Sequence, residues 1–343
     1  MKQRVLSGMR PTGALHLGHY HGALKNWVLM QATHECFFFV ADWHALTTHY
    51  QDRGDIEKNV YDMVIDWLAA GIDPDRATLF IQSRLPEHAE LFALLAMGTP
   101  VSWLERVPTY KDAMKTHREQ PAGRDLATYG FLGYPLLQAA DILIYKAAAV
   151  PVGEDQAPHL EITREVARRF NHLYGRAGLG PDAASRTILP EPQTLLTQMS
   201  RLPGLDGAKM SKSGGNHIGM REEPAEVERK VRRMQTDPDR VRRTDKGDPE
   251  RCPVWQFHRV YSDADTQAWA AKGCTTAGIG CLECKQPVID SIVAEQAPWR
   301  ERAEAFLSNP KHVHWIVEVG TERARTVARQ TMREVRSAMG LVY

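Results

Sequence analysis

Arg4-Val5-Leu6-Ser7-Gly8-Met9-Arg10-Pro11-Thr12-Gly13, followed closely by His16-Leu17-Gly18-His19, is the stretch that decides the fold. Arg4 to Ser7 reads as a short apolar strand that breaks at Gly8, Pro11 and Gly13. From His16 to Ala32 apolar residues recur at helical spacing (Leu17, Ala23, Leu24, Trp27, Val28). A strand, a glycine-bearing turn and a helix N-terminus together offer backbone N–H groups and a favourable dipole to phosphate. Gly8 and Gly13 let the backbone approach a ligand, and Gly18 leaves room for a flat base or ribose. His16 and His19 share one helix face and can donate hydrogen bonds to phosphate oxygens. The plain alternative is an ordinary strand–loop–helix with surface histidines.

The same unit recurs downstream. Phe37-Phe38-Phe39-Val40-Ala41 is the continuous apolar run of a buried parallel strand. Asp55 to Ala70 reads as an amphipathic helix closed by Gly71, Thr78 to Ile81 as a strand, and Glu87 to Met97 as a helix. Tyr129 to Ala148 is a further helical stretch, and Ala149 to Gly153 a strand entering the polar turn Glu154-Asp155-Gln156. Strands alternating with helices imply an α/β fold, a Rossmann-type parallel sheet covered on both faces. Ligands of such folds sit at the carboxyl ends of strands, where Gly8 to Gly13 and Asp42 to His44 fall. After residue 215 the strand pattern stops and charges crowd from Arg221 to Arg251. The reading is a catalytic domain over 1–215 and a mostly helical domain over 216–343, its last helix expected to pack back on the first.

The composition limits the function classes. The 343 residues carry 43 basic and 42 acidic side chains, a net charge of +1, so any nucleic-acid contact must come from local patches. No apolar run approaches the roughly twenty residues of a membrane span. Met1 to Val5 enters a strand with no apolar signal segment, and the odd count of five cysteines argues against a secreted disulfide framework. The expectation is a cytoplasmic protein with no membrane partner.

Lys209-Met210-Ser211-Lys212-Ser213 lies among Gly204, Gly207, Gly214 and Gly215, which reads as a mobile loop. Attack on an α-phosphate needs the leaving pyrophosphate's growing charge neutralised, and two ammonium groups on such a loop suit that task. Its closure would also exclude water from a reactive mixed anhydride. Alone, the stretch is a solvated basic loop. Paired with His16-Leu17-Gly18-His19 across a nucleotide-binding sheet, it resembles the second signature of a class I aminoacyl-tRNA synthetase.

The likeness then narrows. Ser7 to Gly13, Tyr134-Pro135-Leu136-Leu137-Gln138-Ala139-Ala140-Asp141-Ile142-Leu143, Val150-Pro151-Val152-Gly153-Glu154-Asp155-Gln156 and His159 to Arg164 closely resemble tryptophanyl-tRNA synthetases. The resemblance implies a helical anticodon-binding domain, a homodimer, and substrates L-tryptophan, ATP with Mg²⁺, and tRNA(Trp). It implies tryptophan–tRNA ligase activity, with tryptophanyl-adenylate as the intermediate. Carried over by position, Lys209, Lys212, His16 and His19 are the catalytic set. Arg10, Pro11, Thr12, Gly18, His19, Gly153, Glu154, Asp155, Lys209, Met210, Ser211, Lys212 and Ser213 would bind ATP. Leu6, Gly8, His44, Tyr134, Gln138, Asp141 and Gln156 would hold tryptophan. The family commonly carries Asn where His19 stands and Met where Gln138 stands, so this chain departs from it at both. Indole offers one donor and no acceptor, so a fixed acceptor such as Asp141 is what can recognise its edge. Phenylalanine would then leave Asp141 buried and unpaired. The competing readings are a tyrosyl-tRNA synthetase, whose phenol O–H Asp141 could equally accept, and a non-catalytic RNA-binding paralogue. The intact lysines argue against the latter.

Four cysteines remain, Cys252, Cys274, Cys281 and Cys284, in a soft four-thiolate pattern suited to Zn²⁺ or an iron–sulfur cluster. Chemistry leaves the two open. A branch of the family resembles this pattern and holds a [4Fe–4S] cluster beside its anticodon-binding region, which favours iron–sulfur in a structural role. Cys36, at the start of an apolar strand, reads as core. Basic runs at Arg229, Lys230, Arg232, Arg233 and at Arg240, Arg242, Arg243, and a stripe of Arg325, Arg329, Arg333 and Arg336 are candidate phosphate contacts. Glu226, Glu228, Glu322 and Glu334 interrupt them, as on an ordinary solvated helix face.

Overall fold

The computed structural model describes residues 2–51, 54, 56–119, 126–153, 157–177, 185–196, 202–212 and 214–343. Its first part runs β1 (Arg4–Met9), α1 (Leu17–His19), a π-helical turn (Tyr20–Leu24), α2 (Lys25–Met30), β2 (Glu35–Val40), α3 (Asp42–His49), α4 (Ile56–Ala70) and β3 (Ala77–Ile81). There follow α5 (Glu87–Gly98), α6 (Val101–Glu105), α7 (Pro108–Glu119), α8 (Tyr129–Ile144), β4 (Ala149–Val152), α9 (Ala157–Tyr174) and β5 (Gln193–Leu196). The rest is helical: α10 (Pro224–Arg233), α11 (Pro253–Tyr261), α12 (Ala264–Thr275), α13 (Cys281–Leu307) and α14 (Pro310–Ala338).

The five strands form one parallel sheet in the order β3-β2-β1-β4-β5. Because strand residues alternate faces, the apolar runs feed two cores. Val5, Phe38, Val40, Leu79 and Ile81 pack with Trp27 and Trp67 and with Val288, Ile292 and Trp299 of α13. Leu6, Phe37, Phe39 and Phe80 pack on the other face with Leu91, Leu136, Ile144 and Phe170. Trp27 stacks on Phe38 with ring centroids 4.3 Å apart.

Strand order reverses between β1 and β4, the topological switch where α/β folds bind ligands. These two strands pair at Val5 and Ala149 and then part, opening a crevice at their carboxyl ends. The sequence pattern predicts one helix from His16 to Ala32. The chain instead inserts a π-helical turn at Tyr20–Leu24, a feature frequent at functional sites. The helix read to Ala148 stops at Ile144, because Lys146 adopts φ 48°, which turns the chain into β4.

β3 is an edge strand, and α14 runs along it. Val313, Ile316 and Val317 of α14 enter one core, and Ala324, Ala328, Met332 and Val335 enter the other. Gly320 lies between these groups; a Cβ there would sit 1.9 Å from Leu79 O, so only glycine lets the helix cover the strand's backbone. Among the described residues no helix is long and apolar enough to cross a membrane.

Candidate active site

At the crevice between β1 and β4 lies a cavity of about 630 Å³. Leu6, Gly8, His44, Tyr134, Gln138 and Asp141, which are all the described residues read as the tryptophan site, line it together with Arg10, Gly18, His19 and Gly153 of the ATP set. Glu154, Asp155, Gln156 and Ser213 lie outside the described residues. Gly8 has a steric reason to be glycine: a Cβ would lie 2.6 Å from the Phe39 ring.

The lysine loop reaches the opposite rim. Lys212 Nζ donates to Thr12 O at 3.2 Å, against Gly13, which takes φ 113°. Met210 is buried, and its sulfur accepts from Gly18 N at 3.3 Å. Ser211 N donates to Asn216 Oδ1, while Asn216 Nδ2 donates to Asp206 and to Lys209 O. The segment after the loop lies beside the histidine turn: Leu17 N donates to Ile218 O, and Met220 N to Leu15 O. Glycine density suggests a loose loop; Asn216, which the sequence reading passed over, ties it into a bonded turn. Lys209 is exposed and close enough to act electrostatically on His19. Burial lowers the Lys212 pKa to about 8, and the nearby Asp66 carboxylate partly opposes this.

His16 and His19 stack with ring centroids 3.7 Å apart. Burial, then His217 and Lys212, lowers the His16 pKa to about 4. Burial, then His16 and the two lysines, lowers that of His19 to about 3. Both rings are therefore neutral at pH 7. His16 N donates to His19 Nδ1, which leaves the proton of the neutral ring on Nε2. His16 Nδ1 is buried without a partner among the described residues. His19, which lines the cavity, thus presents a donor to an arriving phosphate without a preformed charge, while His16 is buried and not among the lining residues.

Asp141, 1% exposed, is the most constrained polar group of the cavity. His44 Nε2 meets Oδ2 at 2.7 Å; His88 Nδ1 and Gln82 Nε2 meet Oδ1 at 2.6 and 2.8 Å. Behind His88, Nε2 faces Tyr145 Oη at 2.7 Å. Burial alone would raise the Asp141 pKa, but the bonds from His44 and His88 outweigh it and hold it below the usual carboxylate range. Among the described residues neither Lys nor Arg pairs with it. With three protein donors, Asp141 is not left unpaired when the cavity is empty, which removes the simple argument for rejecting phenylalanine. Gln82 and His88 were missed from sequence, although His88, Leu91 and Leu95 stand at inward helical spacing. Tyr134 Oη bonds Thr109 Oγ1 at 2.6 Å.

The four cysteines sit where α11, α12 and α13 begin or end. Burial and then Cys252, Cys274 and Cys281 push the Cys284 thiol up to about 12, so the four sulfurs sense one another. Arg240 donates to Cys274 Sγ at 3.8 Å, and His258 Nε2 lies 3.3 Å from Cys284 Sγ. Among the described residues no group of three or more His, Cys, Asp or Glu side chains could hold a metal ion. A single bound metal ion, Zn²⁺ included, is therefore not supported by the side-chain placement.

Three arginines of the C-terminal stripe have protein partners. Arg329 bonds Glu87 at 3.0 Å, Arg336 bonds Glu90 at 2.6 Å, and Arg325 donates to Arg84 O at 2.9 Å. These side chains fasten α14 to α5 and its approach. In the other runs Arg229 pairs with Glu226, Arg232 with Glu228, and Lys230 with Glu222, and Arg240 is buried. Arg233 and Arg242 stay exposed with no side-chain hydrogen bond or close ion pair among the described residues.

Residues 1–294 match the family described as tRNA synthetases class I (W and Y). The tryptophan–tRNA ligase of Ralstonia nicotianae is 58% identical, with 99% of each chain covered. That of Thermotoga maritima is 49% identical over 99% of this chain and all of the relative. The solved tryptophanyl-tRNA synthetase of Campylobacter jejuni, complexed with ADP and tryptophan, superposes with a TM-score of 0.84 at 31% identity, covering 99% of this chain and 100% of that one.

Proposed function

The chain belongs to the class I tRNA synthetases for tryptophan and tyrosine, and from that premise we infer that it is a tryptophan–tRNA ligase. It activates L-tryptophan with ATP to tryptophanyl-adenylate and pyrophosphate, then transfers the aminoacyl group to the terminal adenosine of tRNA(Trp). The observation that carries this reading is the Lys212 ammonium on the Thr12 turn, beside a cavity that ends at a fixed carboxylate.

In the first step a tryptophan carboxylate oxygen forms a bond to the α-phosphorus. The bridging α–β P–O bond breaks, and its electron pair leaves on pyrophosphate. No side chain need act as base, since the attacking carboxylate is already an anion. Lys209 and Lys212 neutralise the pyrophosphate as it departs, and His16 and His19 donate to its oxygens. Mg²⁺ bound to ATP would supply further shielding of the phosphate charge. Arg10, Thr12, Gly18 and Gly153 line the nucleotide, with Glu154, Asp155 and Ser213 completing its site. Asp141 accepts the indole N–H, with Leu6, Gly8, His44, Tyr134, Gln138 and Gln156 around the amino acid.

Residues 1–215 form the catalytic domain and 216–343 the anticodon-binding domain, in a cytoplasmic homodimer. The exposed Met97, Val101 and Leu173, grouped around Gly98, support a covered face in the dimer. Cys252, Cys274, Cys281 and Cys284 hold a [4Fe–4S] cluster in a structural role. Support comes from four mutually interacting thiols beside the cations of Arg240 and Lys285, a setting suited to an anionic thiolate cluster, which spaces its ligands more widely than one ion does.

ATP–pyrophosphate exchange with each amino acid tests the assignment. Tryptophan alone should support exchange; exchange with tyrosine instead would overturn it. Brown protein absorbing near 400 nm would support the cluster, and colourless protein would remove it.

A further inference from the structure

We propose that His88 is a positioning residue for tryptophan recognition: with Gln82 beside it and Tyr145 behind it, it fixes the Asp141 carboxylate so that Oδ2 alone keeps an acceptor site for the cavity. The proposal rests on the reading of Asp141 as the indole acceptor. A carboxylate accepts about four hydrogen bonds. Oδ1 already takes two, from His88 and Gln82, and Oδ2 takes one, from His44. One acceptor site remains, on Oδ2, and Asp141 is among the residues that line the cavity.

The bonding also fixes the proton positions. The ionised Asp141 carboxylate can only accept, so His88 donates to it from Nδ1–H, and in that Nδ1–H tautomer Nε2 accepts from the Tyr145 hydroxyl. His88, Gln82 and Tyr145 are each 0% exposed, so no water substitutes for a lost link without rearrangement. An ionised carboxylate accepts from an indole N–H; a protonated one can turn its own proton toward the same place. Recognition therefore needs Asp141 both ionised and oriented. The groups facing this network are His44 from α3, Glu87 and His88 from α5, Tyr145 after α8, and Arg325 from α14. Without His88, burial acts on the carboxyl with one strong donor fewer. Asp141 then shifts toward its neutral form at low pH.

The test uses the full-length enzyme in exchange kinetics from pH 5.5 to 9. His88→Leu should raise KM for tryptophan about tenfold to a hundredfold, the range expected for a lost hydrogen bond to a charged group. KM for ATP should stay within about twofold, and the acid limb of kcat/KM for tryptophan should move to higher pH. His88→Asn, which keeps a donor near Nδ1, should recover most of the loss. Tyr145→Phe removes only the rear link and should raise KM for tryptophan a few-fold; it carries the test alone should His88→Leu fail to fold. A tryptophan KM and acid limb unchanged in His88→Leu, or in Tyr145→Phe where that variant stands alone, would overturn the proposal. So would an equal rise in both KM values. Wild-type enzyme inactive with tryptophan would instead sink the functional reading beneath it.

Discussion

Lys212 Nζ and Thr12 O lie 3.2 Å apart although 200 residues separate them in sequence. The contact places a cation at the mouth of the nucleotide crevice before any phosphate arrives. Burial has lowered its pKa to about 8, so the ammonium is charged below that pH and neutral above it. The free enzyme's kcat/KM for ATP should therefore fall about tenfold per pH unit above pH 8. Lys212→Arg, charged at any accessible pH, should abolish this alkaline limb even at lower activity. Parallel limbs in both proteins would assign the titration elsewhere.

The neutral histidine pair has a stability consequence. His16 and His19 titrate near 4 and 3 when folded, against 6.5 when unfolded. Between 6.5 and these values the unfolded chain binds protons that the folded chain does not. Stability thus drops as pH falls through that window, by at most about 1.4 kcal/mol per pH unit for each ring. Urea midpoints from pH 7 to 4 should fall less steeply in His16→Gln than in wild type. Equal slopes would show that His16 ionises normally.

Asp66 on α4 is 1% exposed and accepts from Leu15 N at 3.0 Å and from Arg221 Nε. It joins the histidine turn to the segment following the lysine loop. Asp66→Ala leaves a buried N–H without its partner, while Arg221 keeps some contact with water. Destabilisation of about 1–3 kcal/mol is expected in urea unfolding, together with a raised KM for ATP. Unchanged stability would mean that the turn holds itself.

Much of the fold is legible in the sequence because burial imposes it locally. Phe37 to Ala41 announces β2, and the spacing from Asp55 to Ala70 announces α4, since a strand or helix covered on one side must repeat its apolar residues. The lysine loop and histidine turn are legible as a pair because together they resemble the two signatures of a class I synthetase. What is not legible depends on distant partners. Arg329 and Arg336 look like phosphate ligands until α14 is seen beside Glu87 and Glu90. Gln82 and His88 carry no mark of function until folding brings both to Asp141. The π-helical turn depends on how its helix seats in the crevice wall, which periodicity does not encode.

Those ion pairs redirect expectations for tRNA. Arg336→Ala should leave the salt dependence of tRNA binding unchanged, because its charge is spent on Glu90. Arg233→Ala and Arg242→Ala should each lower the slope of log K against log salt by about one if they neutralise phosphates. Binding measured from 50 to 200 mM salt decides. A reduced slope in Arg336→Ala would return the last helix to the RNA surface.

The most direct measurement is ATP–pyrophosphate exchange by Lys212→Ala alongside tryptophan binding to the same variant. Exchange should collapse by about a hundredfold or more, as for loss of a charge that stabilises a transition state, while the dissociation constant for tryptophan stays near wild type. Exchange that survives, or an equal loss of both, would contradict a lysine acting on departing pyrophosphate.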